Sequence, residues 1–217
     1  MTHEFIIEKM KEKGVVFTDG LKIEEIRKIE KLYAIKFPSE LKKFYSIGLP
    51  ISEDDSQNNK FPLWNDFSKK NIMRIKKWMT LPIQRILQGY KDDDGTILAD
   101  LGVGKLFEEG KYDERFSKIE QKRNEYELKR FLSTLETVIP IYSHRYMILK
   151  YDDDNAVISA WGTDITAYGT TIKDYLINEF IDSTNLKDIY DRLCEDTKNG
   201  ECQYRRTLGM WKRLIIR

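Results

Sequence analysis

Two histidines and two cysteines are all the imidazole and thiol in this 217-residue chain, so their spacing bounds the nucleophilic and metal chemistry it can host. Zinc takes four Cys or His ligands in a structural site, or three protein ligands plus water in a catalytic one. Only Cys194 and Cys202 lie near one another, so zinc would need distant help. Two thiols also exclude a secreted framework of several bridges, and reduced thiols in the cytoplasm are expected. His3 falls in the first turn of a terminal helix, where an exposed side chain without chemistry is expected. His144 lies between two strand-like runs, beside Ser143 and Arg145. No acid stands at a fixed spacing from it, so it reads as a hydrogen-bonded structural histidine at a strand edge rather than a general base.

The acidic and glycine motifs fail as cofactor sites. Lys91 to Gly95 reads KDDDG, but with Gly95 as the sixth residue of a calcium loop, Tyr90 and Leu101 occupy the positions that need Asp and Glu. A turn at Asp94 and Gly95 is the better reading. Gly102, Val103 and Gly104 begin like a dinucleotide-binding loop, yet Phe107 replaces the third glycine, and no GK[ST] is present. No cofactor and no metal are expected. The triples Asp92, Asp93, Asp94 and Asp152, Asp153, Asp154 read as solvated turns or as faces for a basic partner.

The elements that must position these groups centre on residues 138–180. Val138 to Tyr142, Tyr146 to Tyr151 and Ala156 to Trp161 are rich in β-branched and aromatic residues, and Asp152 to Asn155 forms a turn between the last two. Gly162 and Gly169 bracket a short segment, Thr163 to Tyr168. Thr171, with Asp174 three residues on, caps a helix whose Ile172, Tyr175, Leu176 and Phe180 share a face.

Upstream, Thr2 caps a helix carrying Phe5, Ile6 and Met10; Gly14 ends it before a strand at Val15 to Phe17. Ile23, Ile26, Ile29 and Leu32 recur at helical spacing, and Pro38 opens a helix with Leu41, Phe44 and Tyr45 that ends near Gly48. Ser52 to Lys60 is a polar loop. Ser68 caps a helix bearing Ile72, Ile75, Trp78 and Met79, which Pro82 is expected to stop, leaving Ile83 to Gly89 as strand or irregular chain. Asp113 to Leu135 reads as one charged helix or two in series. After Phe180, a helix capped by Ser183 or Thr184 and a last helix presenting Leu208, Trp211, Leu214 and Ile215 complete the chain. The basic residues beside Trp211 fit an amphipathic terminal helix packed on its own domain.

Composition narrows the partners. A hydrophobic fraction of 41 % beside 34 % charged residues fits a folded domain of this length rather than a disordered chain. The net charge of +1 gives no electrostatic reason for nucleic acid or a membrane as the main partner. Acidic residues in the first helix argue against a signal peptide, and no apolar run is long enough to span a bilayer.

Three blocks resemble the SUKH superfamily, and within it the SMI/KNR type of Gram-positive bacteria. They are IEEIRKIEKLYAIKFPSELKKFYSIGLPIS (23–52), FPLWNDFSKKNIMRIKKWMTLPI (61–83), and IPIYSHRYMI (139–148) with VISAWGTDITAYGTTIKDYLINEF (157–180). Ser46, Ile47 and Gly48 depart from the frequent Asn-Gly-Gly, and nothing after Phe180 matches. The helical extension at 183–217 is read from its own capping and apolar spacing, while the resemblance implies an α+β domain with a central, mostly antiparallel sheet flanked by helices, placed over residues 1–182. It further implies a non-catalytic immunity protein whose partner is a cognate bacterial toxin with a basic nuclease cleft. Asp92, Asp93, Asp94, Asp152, Asp153 and Asp154 are then candidate charge partners, and Trp161, Asp164 and Tyr168 match the family block. The alternatives are an intracellular scaffold of the cell-wall-regulator type and an enzyme acting through His144 and a neighbouring acid.

Overall fold

A computed structural model describes residues 1–52, 60–92, 118–150, 155–182 and 208–215. Helix α1 (His3–Glu12) starts at Thr2, whose Oγ1 accepts the Phe5 N–H at 3.3 Å. Its buried stripe is His3, Ile6, Ile7 and Met10, so two expectations change. Phe5 faces solvent at 46 % exposure, and His3, expected exposed, is only 6 % exposed. The stripe extends one turn further toward the N-terminus than the apolar residues alone indicate, because the Glu40 carboxylate supplies a polar partner 3.1 Å from His3 Nε2.

Strand β1 (Val16–Asp19) leads through Gly20 to α2 (Ile23–Tyr33), followed by α3 (Ser39–Ile47) and β2 (Gly48–Ile51). Where the sequence leads from α3 into a polar loop, the chain first forms β2, which pairs antiparallel with β1. Gly20 makes this corner possible. A Cβ there would lie 1.9 Å from the Ser46 carbonyl oxygen, and the next residue, Leu21, donates its N–H to the Tyr45 carbonyl at 2.8 Å. Tyr33, Phe37, Tyr45 and Trp64 pack edge to face around the helix pair, and Trp64 Nε1–H donates to the Tyr45 hydroxyl at 3.3 Å.

Helix α4 (Lys69–Asp92) runs straight through Pro82, correcting the expected stop and the strand or irregular chain after it. The proline removes one backbone donor and crowds the preceding turn, at roughly 3 kcal/mol. Opposing this, Ile72, Ile75 and Met79 enter one core while Trp78, Ile83, Ile86 and Leu87 enter a second. Each such burial stabilises by about 1.5–3 kcal/mol, so packing outweighs the breaker.

Helix α5 (Lys118–Leu132) buries Leu128, Phe131 and Leu132, while Tyr126 stays 64 % exposed. Strands β3 (Val138–Tyr142), β4 (Arg145–Ile148), β5 (Val157–Trp161) and β6 (Asp164–Gly169) then form an antiparallel meander, closed by α6 (Ile172–Phe180). The Thr171 cap forms as expected, its Oγ1 accepting the Asp174 N–H at 3.1 Å.

Period-two alternation along this sheet buries both faces. Ile139, Met147 and Val157 meet α1, α2, α3 and α6 in the first core. Val138, Tyr146, Ile148, Ile158, Ala160, Ile165 and Ala167 meet α4 and α5 in the second. The architecture is α+β, as expected. Leu208, Trp211 and Leu214 fill the second core from a 3-10 turn (Gly209–Arg213), where an α-helix was expected. Trp211 Nε1–H donates to the Glu136 carbonyl at 2.9 Å, and Ile215 bridges in parallel to Ile165 on β6. The expected helix after Ser183 and both cysteines lie outside the described residues. No helix among the described residues is long and apolar enough to cross a membrane.

Candidate functional site

An antiparallel meander puts alternate connections at opposite ends, so the β3–β4 turn and the β5–β6 turn share one end of the sheet. The β3–β4 turn is Ser143 and His144, with Ser143 in the left-handed region at φ 50°. Three bonds fix it. Ser143 N–H donates to the Lys60 carbonyl at 2.8 Å, Trp78 Nε1–H donates to the Ser143 carbonyl at 3.1 Å, and Ala160 N–H donates to the His144 carbonyl at 2.9 Å. The β5–β6 turn places Trp161 opposite Asp164 around Gly162 at φ 64°.

Between these turns stands Trp161, 57 % exposed. The His144 ring meets its indole at 5.2 Å and 70°, and the Arg85 guanidinium lies over it at 5.0 Å. Cation–π and edge contacts of this kind hold an aromatic in one orientation without burying it. His144 Nδ1 lies 3.1 Å from the Ser143 hydroxyl. Burial, then the charges of Arg145 and Arg85, push the imidazole below its usual range against the opposing pull of Asp164. It is therefore mostly neutral at pH 7, with the Ser143 hydroxyl and the Trp161 indole as its partners.

The residues singled out by sequence separate. Trp161 and Asp164 come together; the Asp164 carboxylate accepts the Thr166 hydroxyl at 3.2 Å and stays exposed. Tyr168 belongs to a different place, beneath α6, where the Arg145 guanidinium covers its ring at 3.8 Å. Arg145, 8 % exposed, also donates to Glu179 at 3.0 Å and to the Ser159 hydroxyl at 2.8 Å. Asp92 is the last residue of α4. Asp93, Asp94, Asp152, Asp153 and Asp154 lie outside the described residues. The described flanks of the second triple, Ile148 and Asn155, lie at the end of the sheet away from Trp161.

Arg85 was not legible as part of the site. It falls in the segment read as strand or irregular chain, and its contact with Trp161 requires α4 to continue past Pro82. Among the described residues, no three His, Cys, Asp or Glu side chains converge as a metal site would require. Against known proteins, the chain matches no family model, no curated protein and no solved structure. The likeness to the SUKH superfamily thus rests on the sequence blocks quoted above.

Proposed function

We propose that this protein is a non-catalytic immunity protein that binds a bacterial toxin through the turn end of its four-stranded sheet and blocks the toxin's active site. The observation that carries the reading is Trp161, a large aromatic held rigid by Arg85 and His144 yet left more than half exposed. Tryptophan and arginine dominate the energetics of protein interfaces, and a side chain already fixed in orientation loses little entropy on binding. The sequence blocks supply the toxin as partner. Occlusion needs only shape and charge complementarity over the toxin's cleft, so no reacting group is required of this chain.

The test looks for a toxin-like domain in the reading frames adjoining this gene, expresses it with and without this protein, then isolates the pair; finding none there counts against the reading. Rescue of growth with a stable complex is expected. Trp161→Ala should then weaken binding by about 2 kcal/mol or more, roughly thirtyfold, with an unchanged melting temperature. Absence of both rescue and complex would overturn the immunity reading; an undiminished Trp161→Ala complex would move the interface elsewhere.

A further inference from the structure

Between Asp66 and Asp92 the chain carries seven Lys and Arg residues and no carboxylate, although the whole protein has a net charge of only +1. The described structure shows where that charge goes. Lys70, Met73, Arg74, Lys77 and Arg85 fall within about a third of the circumference of α4 when placed at 100° per residue. The first four face solvent and Arg85 is half-buried against Trp161. From Lys70 to Arg85 the stripe advances 15 residue steps, about 22 Å at 1.5 Å per step, and it ends on the indole. Among the described residues, no carboxylate lies within ion-pairing distance of Lys70, Arg74, Lys77 or Arg85. Elsewhere the surface is mixed: Lys9, Lys11, Lys42, Lys43, Lys129 and Lys173 each pair with a glutamate, while exposed Lys13, Arg27, Lys31 and Lys36 have no such partner among the described residues. What sets α4 apart is the alignment of its cations on one side of a single helix beside Trp161.

We infer that the exposed face of α4, continuous with Trp161, is the docking surface for an acidic face of the toxin. This rests on the immunity reading and reverses one part of the sequence expectation, in which acidic loops of this protein met a basic cleft. Two features favour a protein over a nucleic acid. Met73 is 71 % exposed in the middle of the stripe, and Met, Arg and Trp are the side chains enriched at protein interfaces. Arg85 already lies over the Trp161 indole, and among the described residues no second exposed aromatic on α4 or the β5–β6 turn continues the row of stacking rings that single-stranded bases use. The unpaired cations supply long-range steering, and Trp161 and Met73 supply the apolar contact.

The experiment uses the full chain and the toxic domain from the neighbouring gene. The variant Lys70→Glu/Arg74→Glu/Lys77→Glu, checked for an unaltered melting curve, should bind roughly tenfold to a hundredfold more weakly, mostly through slower association. Raising salt from 0.05 to 1 M should erase the difference, because the screening length falls to about 3 Å. A carbodiimide, which joins a lysine amine to a carboxylate in direct contact, should link Lys70 or Lys77 to Asp or Glu of the toxin, read by mass spectrometry. A wild-type complex that the triple variant forms equally well, with no such cross-link, overturns this inference and leaves the immunity reading standing. No wild-type complex at all removes both. A single-stranded RNA oligonucleotide is the control; its capture by the wild type and loss by the triple variant, with toxin binding unchanged, would reassign the face to nucleic acid.

Discussion

Arg145 on β4 and Glu179 on α6 meet at 3.0 Å with both side chains largely withdrawn from water. The pair ties the helix to the sheet, because Arg145 also holds Ser159 of β5 and covers Tyr168 of β6. Removing one partner strands the other charge in a poorly solvated place. Glu179→Leu is expected to cost about 2–4 kcal/mol in urea unfolding, whereas Arg145→Met combined with Glu179→Leu costs less than Glu179→Leu alone. Additive losses in the double variant would show that the two residues act independently.

Acid should loosen the seam between α1, α3 and α6 in two steps. His3 Nε2 faces the Glu40 carboxylate at 3.1 Å, which can only accept, so Nε2 carries the hydrogen and the buried Nδ1 has no partner. Burial and then Lys173 hold the His3 pKa below 6.5 despite Glu40, while Lys173 and Lys43 pull Glu40 down to about 2. Below pH 6.5 the unfolded chain therefore takes up more protons at His3 than the folded one, and stability falls. A second fall follows between pH 4.5 and about 2, as the unfolded Glu40 protonates first. Melting temperatures of His3→Gln should lose the first step, and those of Glu40→Gln the second.

Gly20→Ala is expected to be among the most damaging single-methyl additions in the chain. The new Cβ would meet the backbone carbonyl of Ser46, which cannot swing aside as a side chain can. Either β1 or the end of α3 must move, and a loss of about 3 kcal/mol or more is anticipated from strain of that kind. Gly14→Ala makes the comparison: nothing lies within 4 Å there, so only its φ of +86° is strained, at about 1–2 kcal/mol. Equal losses at the two positions would refute the steric argument.

Trp211 is fully buried and its indole N–H is satisfied by Glu136. Trp211→Ala should lower stability by about 3–5 kcal/mol, and Trp211→Phe by less, since much of the ring volume survives and only one hydrogen bond is lost. Chemical denaturation followed by circular dichroism separates the two.

Elements driven by local pattern were readable in the sequence. Val138 to Tyr142 and Val157 to Trp161 carry β-branched and aromatic runs, and Thr171 with Asp174 marks a helix start; all three form where local chemistry puts them. What escaped depends on distant chain. Pro82 carries a strong local stop signal, yet it sits inside α4 because residues on either side of it enter different cores. Short Gly48 to Ile51 becomes a strand only because β1 lies beside it. His3 is polar and near a terminus, and nothing near it in sequence announces Glu40, 37 residues away.

The candidate site divides in the same way. Trp161 and Asp164 lie three residues apart across one turn, so local chemistry joins them. Arg85 and His144 reach the same indole from 76 and 17 residues away, and only the packed sheet brings them there.

The parallel bridge from Ile215 to Ile165 protects the chain from its own kind. Among the described residues β6 is one of the two edge strands of the sheet, β3 being the other, and an edge strand with free amides is a template on which another copy can extend. Ile215 occupies part of that template while Leu208, Trp211 and Leu214 cover the greasy surface beside it. A protease that clipped the chain before Leu208 would therefore uncover a sticky ribbon, and the product should precipitate as β-rich polymer rather than persist as a slightly weaker monomer.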